Sequence, residues 1–230
     1  MNNLELYKYI HAFILGDGGV YVDKSEVNSN AWFQTTKTEK NLDFIEFAED
    51  IIKNITGCTI KRHETQSNSI NGKEFITKPY YRLVSKRHPT FTKFRHRMYP
   101  NGYKCLDPHY LKLLDWETLA ILYMDDGTRF TKHYHKPYGD YTYYGVELCT
   151  HSFSFADNLM LSQIIKEKLN LTFFIDKVNL KSGLKYKLRM SQKDNNKFYD
   201  GLYKYILPSF VYKLENIHTT DSDNSDDDIV

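Results

Sequence analysis

Long hydrophobic runs are missing from this 230-residue chain. No apolar stretch approaches the length of a membrane span, and the first residues hold no signal-peptide core. They include Glu5 and no arginine, so a mitochondrial transit peptide is not evident. Cysteine is nearly absent as well: Cys58, Cys105 and Cys149 lie far apart, in no metal or redox spacing. An odd, patternless count points to a reducing compartment. The expectation is a soluble intracellular protein, from the cytoplasm of a prokaryote or phage host or from an organelle matrix. Glycine is sparse, 11 residues against 19 Tyr and 14 Phe. Excess charge is small, a net +2, but that sum conceals a division. The last twelve residues, Thr219 to Val230, hold five aspartates and no lysine or arginine. Taking those five from 29 acidic residues leaves 24 against 31 basic ones, a balance of +7. A basic body fits a polyanionic partner, and the acidic end reads as a disordered tail over 219–230.

What is present centres on Ile121-Leu122-Tyr123-Met124-Asp125-Asp126-Gly127. The apolar run Leu119 to Met124, opened by Asp115-Trp116-Glu117-Thr118, reads as a buried helix from about Asp115. Gly127 marks its stop, where a positive φ costs least. A carboxylate sits badly there, because the last turn already carries partial negative charge. A second helix of this kind, 4–16, ends Ile14-Leu15-Gly16-Asp17-Gly18. Two such ends suggest one site built from two halves.

The rest of the chain repeats in the same order. After the first helix come strand-like runs Val20–Val22 and Ala31–Thr38. A helix capped by Asn41 follows through Ile52, with Gly57 as its stop. Strands Cys58–Thr65 and Glu74–Ser85 flank the hairpin signal Asn71-Gly72, and a basic helical segment spans Phe91–Met98. The second half gives a helix over 116–126, then strands Thr128–Lys136 and Tyr141–Thr150 joined through 137–140. A helix Ala156–Leu169, strands Leu171–Asn179 and Leu184–Ser191, and a last helix Asn195–Ile206 complete it. Tyr99-Pro100-x-x-Tyr103-Lys104-x-Leu106 matches Leu207-Pro208-x-x-x-Tyr212-Lys213-Leu214. Asp17 to Lys104 spans 87 residues, and Asp126 to Lys213 also spans 87. The expected organisation is an internal duplication, 1–110 and 111–218, with a linker near Pro108–Asp115.

Ile10-His11-Ala12-Phe13-Ile14-Leu15-Gly16-Asp17-Gly18 and Leu119-Ala120-Ile121-Leu122-Tyr123-Met124-Asp125-Asp126-Gly127 both resemble the LAGLIDADG motif. In the first copy His11 replaces the family's small second residue. Two copies in one chain resemble the single-chain homing endonucleases encoded in introns and inteins, over nearly all of residues 1–218. The resemblance implies an α+β fold, a pseudo-twofold duplication of an αββαββα unit. Its two motif helices would pack at the centre, Ala12 and Gly16 allowing close approach, and its twisted antiparallel sheets would form a DNA-binding saddle. It also implies that Asp17 and Asp126 bind metal through their carboxylates, assisted by the carbonyls of Gly16 and Asp125. Mg2+ is the expected cation, with Mn2+ among possible substitutes. Lys104 and Lys213 would stand beside the scissile phosphates, balancing developing charge or ordering water.

DNA contact would fall to the strands, alternate side chains reaching the major groove. In the first half Phe33, Thr35 and Lys37 are expected to face DNA, with Lys61, Arg62, Arg82, Lys86 and Arg87 as base or phosphate contacts. In the second half Arg129, Thr131, His133 and His135 share one strand face, and Glu147, Cys149 and His151 share another. Lys177, Lys185, Lys187 and Arg189 complete that set. His133-x-His135 also has the spacing of a metal pair, though no third ligand is evident. The function implied is a Mg-dependent, site-specific double-strand DNA endonuclease with a long asymmetric target, acting as a monomer with no protein partner. The alternatives are an RNA maturase, an intron-splicing cofactor, and a non-cleaving DNA-binding protein on the same fold.

Overall fold

The computed structural model describes residues 2–23, 29–70, 73–137 and 139–217. It divides into two compact units, Met1–Leu114 with Leu207–Ser209, and Asp115–Ile206 with the residues from Phe210 onward. Each is an α+β body on a four-stranded antiparallel sheet.

In the first unit α1 (Asn3–Leu15) opens with a capping box, Asn2 and Glu5 each bonding the other's backbone N–H. It leads through β1 (Gly19–Tyr21) and β2 (Trp32–Thr38) to α2 (Leu42–Lys53). Asn41 does not cap α2 with its side chain. A 3-10 turn, Glu39–Asn41, runs into the helix instead, and Asn41 Nδ2 donates to Ser209 Oγ at 2.9 Å. Nor does Gly57 stop α2, whose C-cap is Asn54.

The expected strand Glu74–Ser85 is divided at Lys78-Pro79, since proline cannot donate to a central ladder. One part, β5 (Lys73–Thr77), pairs with β4 (Gln66–Ile70) in a separate ribbon. Ile70 stands opposite Lys73, and the turn Asn71-Gly72 lies outside the described residues. The other part, β6 (Tyr80–Ser85), sits between β2 and β3 (Cys58–His63), giving the order β1-β2-β6-β3. Helix α3 (Pro89–Met98) follows. The expected linker is folded too, as α4 (Pro108–Leu111), whose Tyr110 ring stacks on Phe94 at 4.5 Å.

The second unit carries α5 (Trp116–Asp126), β7 (Gly127–Lys136), β8 (Gly139–Leu148), α6 (Phe155–Leu169), β9 (Phe173–Leu180), β10 (Gly183–Met190) and α7 (Asn195–Leu202). Its sheet order is β7-β8-β10-β9, so both sheets place the second hairpin's last strand beside the first hairpin. Capping boxes at Asp115/Thr118 and Ser154/Asp157 start α5 and α6. Asn170, at φ 53°, ends α6 in the left-handed conformation that asparagine tolerates. No helix among the described residues is long and apolar enough to cross a membrane.

One face of each sheet is covered by helices. Under the first, Phe13 lies 6.0 Å from Phe33 and 5.6 Å from Phe44, and Phe33 stacks on Phe91. Under the second, Val146, Leu148, Leu188 and Met190 are buried, and Phe155 of α6 meets Tyr186 of β10. The opposite faces carry no such core, and they are open.

Candidate functional site

Helix α5 is buried at seven consecutive positions, Thr118 to Met124. That is the signature of a helix enclosed on all sides. Beyond that run Asp125 and Asp126 reach water again, both half-buried. Gly127 is needed for a reason other than positive φ, since its backbone is extended at φ −82°, ψ 150°. A Cβ there would stand 2.0 Å from Tyr123 Cδ2 and 2.4 Å from Tyr123 O. The chain must pass its own last turn so closely that only glycine fits. Gly18 obeys the same constraint in the first unit, where a Cβ would meet Phe13 O at 2.4 Å.

The two lysines matched by spacing do matching things. Lys104 Nζ donates to Gly16 O at 2.6 Å and Gly18 O at 3.3 Å. Lys213 Nζ donates to Met124 O and Gly127 O, both at 2.7 Å, and to Tyr123 O at 3.2 Å. Each ammonium therefore sits on carbonyls at the C-terminal end of its motif helix, where the dipole favours a cation. In the second unit Tyr123 clamps the arrangement, its hydroxyl donating to Lys213 O at 2.7 Å. Burial pushes that phenol well above its ordinary pKa. Cys149 N–H donates to Asp126 O at 2.8 Å, and burial, then the Asp126 charge, raises the Cys149 thiol.

The first unit adds a group that sequence reasoning sent elsewhere. Lys37, expected at DNA, is only 9% exposed, and its Nζ meets Asp17 Oδ2 at 2.8 Å. The Asp17 side chain itself is 58% exposed. Asp17, Gly16 and Lys104 thus come together in one unit, and Asp125, Asp126 and Lys213 in the other. The donors at both helix ends are carboxylate and carbonyl oxygens. They fit a hard divalent cation, and the ammonium on Asp17 shows that this carboxylate is placed to hold positive charge.

The strand faces need correction. On β2 the buried residues are Phe33, Thr35 and Lys37, so these look toward α2 and not outward. The open face carries Trp32, Gln34 and Thr36. Cross-strand pairing Thr36↔Arg82↔Lys61 places Arg82 and Lys61 there as expected. Arg62, opposite Tyr81, lies on the covered side and is held by Glu39 at 2.9 Å and by Glu64. Lys86 and Arg87 are exposed just beyond β6, Arg87 pairing with Asp23 at 3.4 Å.

In the second unit Arg129, His133 and His135 share the face of Val146, the covered side. Arg129 donates to Glu215 O at 2.6 Å. His133 turns to Thr142 Oγ1 and His135 to Asp140, and among the described residues neither joins a group of three side chains that could hold a metal. Lys177, opposite Tyr186, is on the same side, and His151 is half-buried in the turn after β8. Lys187 and Arg189 do lie on the open face, with Lys185. Residues the sequence reading missed there are Phe130, Lys132, Tyr134, Tyr143, Phe174 and Asp176. The period-two pattern contained them, but it does not say which of its two faces the helices cover.

Fold and site together define a duplicated scaffold with one motif helix in each half. The sequence pattern of the LAGLIDADG DNA endonuclease family matches residues 9–198, and the chain belongs to that family. The uncharacterized protein MJ1098 of Methanocaldococcus jannaschii is 31% identical over 138 residues, 60% of this chain and 49% of that protein. The chain therefore spans about half the length of that curated relative. Among solved structures, the homing endonuclease I-WcaI bound to its DNA recognition sequence is similar with a TM-score of 0.67 at 24% identity. The match covers 93% of this chain and 88% of that one. The meganuclease I-SmaMI bound to uncleaveable DNA gives 0.54 at 14%, over 90% and 86%. At such identities the likeness is one of fold.

Proposed function

We propose that this protein is a site-specific DNA endonuclease that hydrolyses both strands of a long asymmetric duplex target with a divalent cation, Mg2+ being the one its oxygen donors suit. The observation that carries this is the matched pair of motif-helix ends, each presenting an aspartate over carbonyls held by a lysine 87 residues on. Asp17 and Asp126 would hold the cation, with the carbonyls of Gly16 and Asp125 as further donors. When bound, such a cation activates water and stabilises the departing oxygen. Lys104 and Lys213 keep the helix ends from repelling their own aspartates. Their ammonium groups also supply positive charge where a phosphate would sit. Lys37 orients the Asp17 carboxylate. The open sheet faces, with Lys61 and Arg82 in one unit and Lys187 and Arg189 in the other, offer the contacts to duplex DNA. Asymmetry of the target follows from how differently the two faces are furnished.

The test uses supercoiled plasmid carrying the sequence that flanks the gene, rejoined without it. The wild-type protein should linearise it in Mg2+. Asp17→Asn and Asp126→Asn should each abolish double-strand cleavage and still bind the same DNA in Ca2+. Full cleavage by either variant would remove the metal assignment, and no binding by any of the proteins would remove DNA as the substrate.

A further inference from the structure

On the open face of the second sheet two cations are already fixed by carboxylates. Lys187 Nζ donates to both oxygens of Glu147 at 2.7 Å. Arg189 Nε donates to Asp176 Oδ2 at 2.8 Å, and its Nη2 to Asp176 Oδ1 at 3.4 Å. Register sets Arg189 directly opposite Glu147 on one side and Phe174 on the other. The guanidinium lies over the Phe174 ring, 5.3 Å from its centre. An ordinary surface arginine samples many rotamers. This one is held along one edge by two bonds and along one plane by a ring.

The held edge decides what the remaining edge can do. With Nε and one Nη2 hydrogen occupied, the donors left are Nη1 and the second Nη2 hydrogen, the end-on fork. Two parallel donors at a fixed spacing match guanine O6 and N7, neighbouring acceptors in the major groove. Adenine presents an amino donor where guanine has O6, so it opposes one arm. A phosphate accepts the same fork, but Asp176 and Glu147 surround this guanidinium and cancel much of its charge. That loss weakens attraction to a backbone anion far more than hydrogen bonding to a neutral base edge.

We infer that Arg189, buttressed by Asp176 and laid on Phe174, reads one guanine in the half-site bound by the second unit. The inference rests on the DNA-endonuclease reading above and gives that reading a base-specific determinant. Lys187, a point charge without a fork, makes no such demand.

The experiment selects duplexes from a randomised pool on the full-length protein in Ca2+ and sequences the survivors. Wild-type protein should enrich a duplex with one near-invariant guanine. Arg189→Gln should spread that position over all four bases while the other preferences persist, which also shows that the variant folds. Affinity for the selected duplex should fall about 5- to 150-fold, the range for one bidentate base contact. Replacing that guanine by 7-deazaguanine should weaken wild-type binding and leave Arg189→Gln unaffected. Asp176→Asn, which frees the held edge, should relax the same position and no other. A guanine preference that survives Arg189→Gln, or a uniform loss across all sequences, would overturn the inference and make Arg189 a backbone contact. If wild-type protein enriches no duplex, the DNA reading itself falls, and this inference with it.

Discussion

His11 replaces a small residue inside a motif helix and is 3% exposed. Its Nε2 finds no hydrogen-bond partner among the described residues, and its ring lies 5.8 Å from Tyr110. Burial lowers its pKa to about 3, against a smaller opposing pull from the Asp107 charge. The unfolded chain binds a proton near pH 6.5 and the folded one does not, so stability falls as pH drops from about 6.5 toward 3. At pH 5 the contribution lost is about 2 kcal/mol. Urea denaturation at pH 7 and pH 5 should show this loss in the wild type. In His11→Leu the difference between the two pH values should shrink by that amount, and an unchanged difference would mean the imidazole does protonate in place. The sequence displayed this residue as a departure from its motif, but not that it would be sealed from water. Lys37 was equally opaque. A lysine in a strand suggests an exposed face, and only the fold reveals that its stem crosses Phe44, 5.2 Å below the ammonium, to reach Asp17.

At the scale of the helix, both motif ends are closed by a lysine far along the chain. Lys213 covers three carbonyls and Lys104 two. Lys213→Met leaves those carbonyls without their charged donor and should cost about 1–3 kcal/mol, a loss of stability readable in thermal or urea melts without any nucleic acid. If Lys213→Met slows cleavage but melts as the wild type does, the capping role is wrong and the ammonium acts on substrate alone. Helices were the most legible elements. The expected spans 116–126 and Ala156–Leu169 differ from the observed α5 and α6 by one residue at most, and for α5 the Asp115 start signal set the boundary. Strand positions were legible and strand faces were not. On β2 the adjacent Trp32 and Phe33 are both large and apolar, so composition alone did not say which of their two faces is the core. Arg129 is half-buried and His133 exposed, and polar side chains of that kind gave no sign that they lie on the covered side.

For the molecule as a whole, the 87-residue Asp-to-Lys spacing found in both halves carried most of the reading. It predicted two comparable bodies, and both are four-stranded antiparallel sheets with the same strand order. What it could not foresee was how differently they would be charged. On the first open face Arg82 sits over the Tyr80 ring and Lys61 is exposed, while on the second both Lys187 and Arg189 are held by acids. DNA binding should therefore be sensitive to salt: with six phosphates neutralised, affinity falls about 10³-fold or more from 50 to 200 mM. Lys61→Gln should flatten the slope of log K against log salt by about one, whereas Lys187→Gln, already neutralised by Glu147, should flatten it by much less. Equal changes in the two slopes would contradict the charge assignment.

Leu207–Ser209 belong to the first unit, although almost two hundred residues separate them from its opening helix. Ser209 N–H and Oγ donate to Asp43 at 3.0 and 2.6 Å, and Asn41 donates to Ser209, so the start of α2 is finished by a segment 166 residues further along the chain. A growing chain on the ribosome thus cannot complete that body until Ser209 has been added. Premature termination anywhere before Ser209 leaves that body without its clasp.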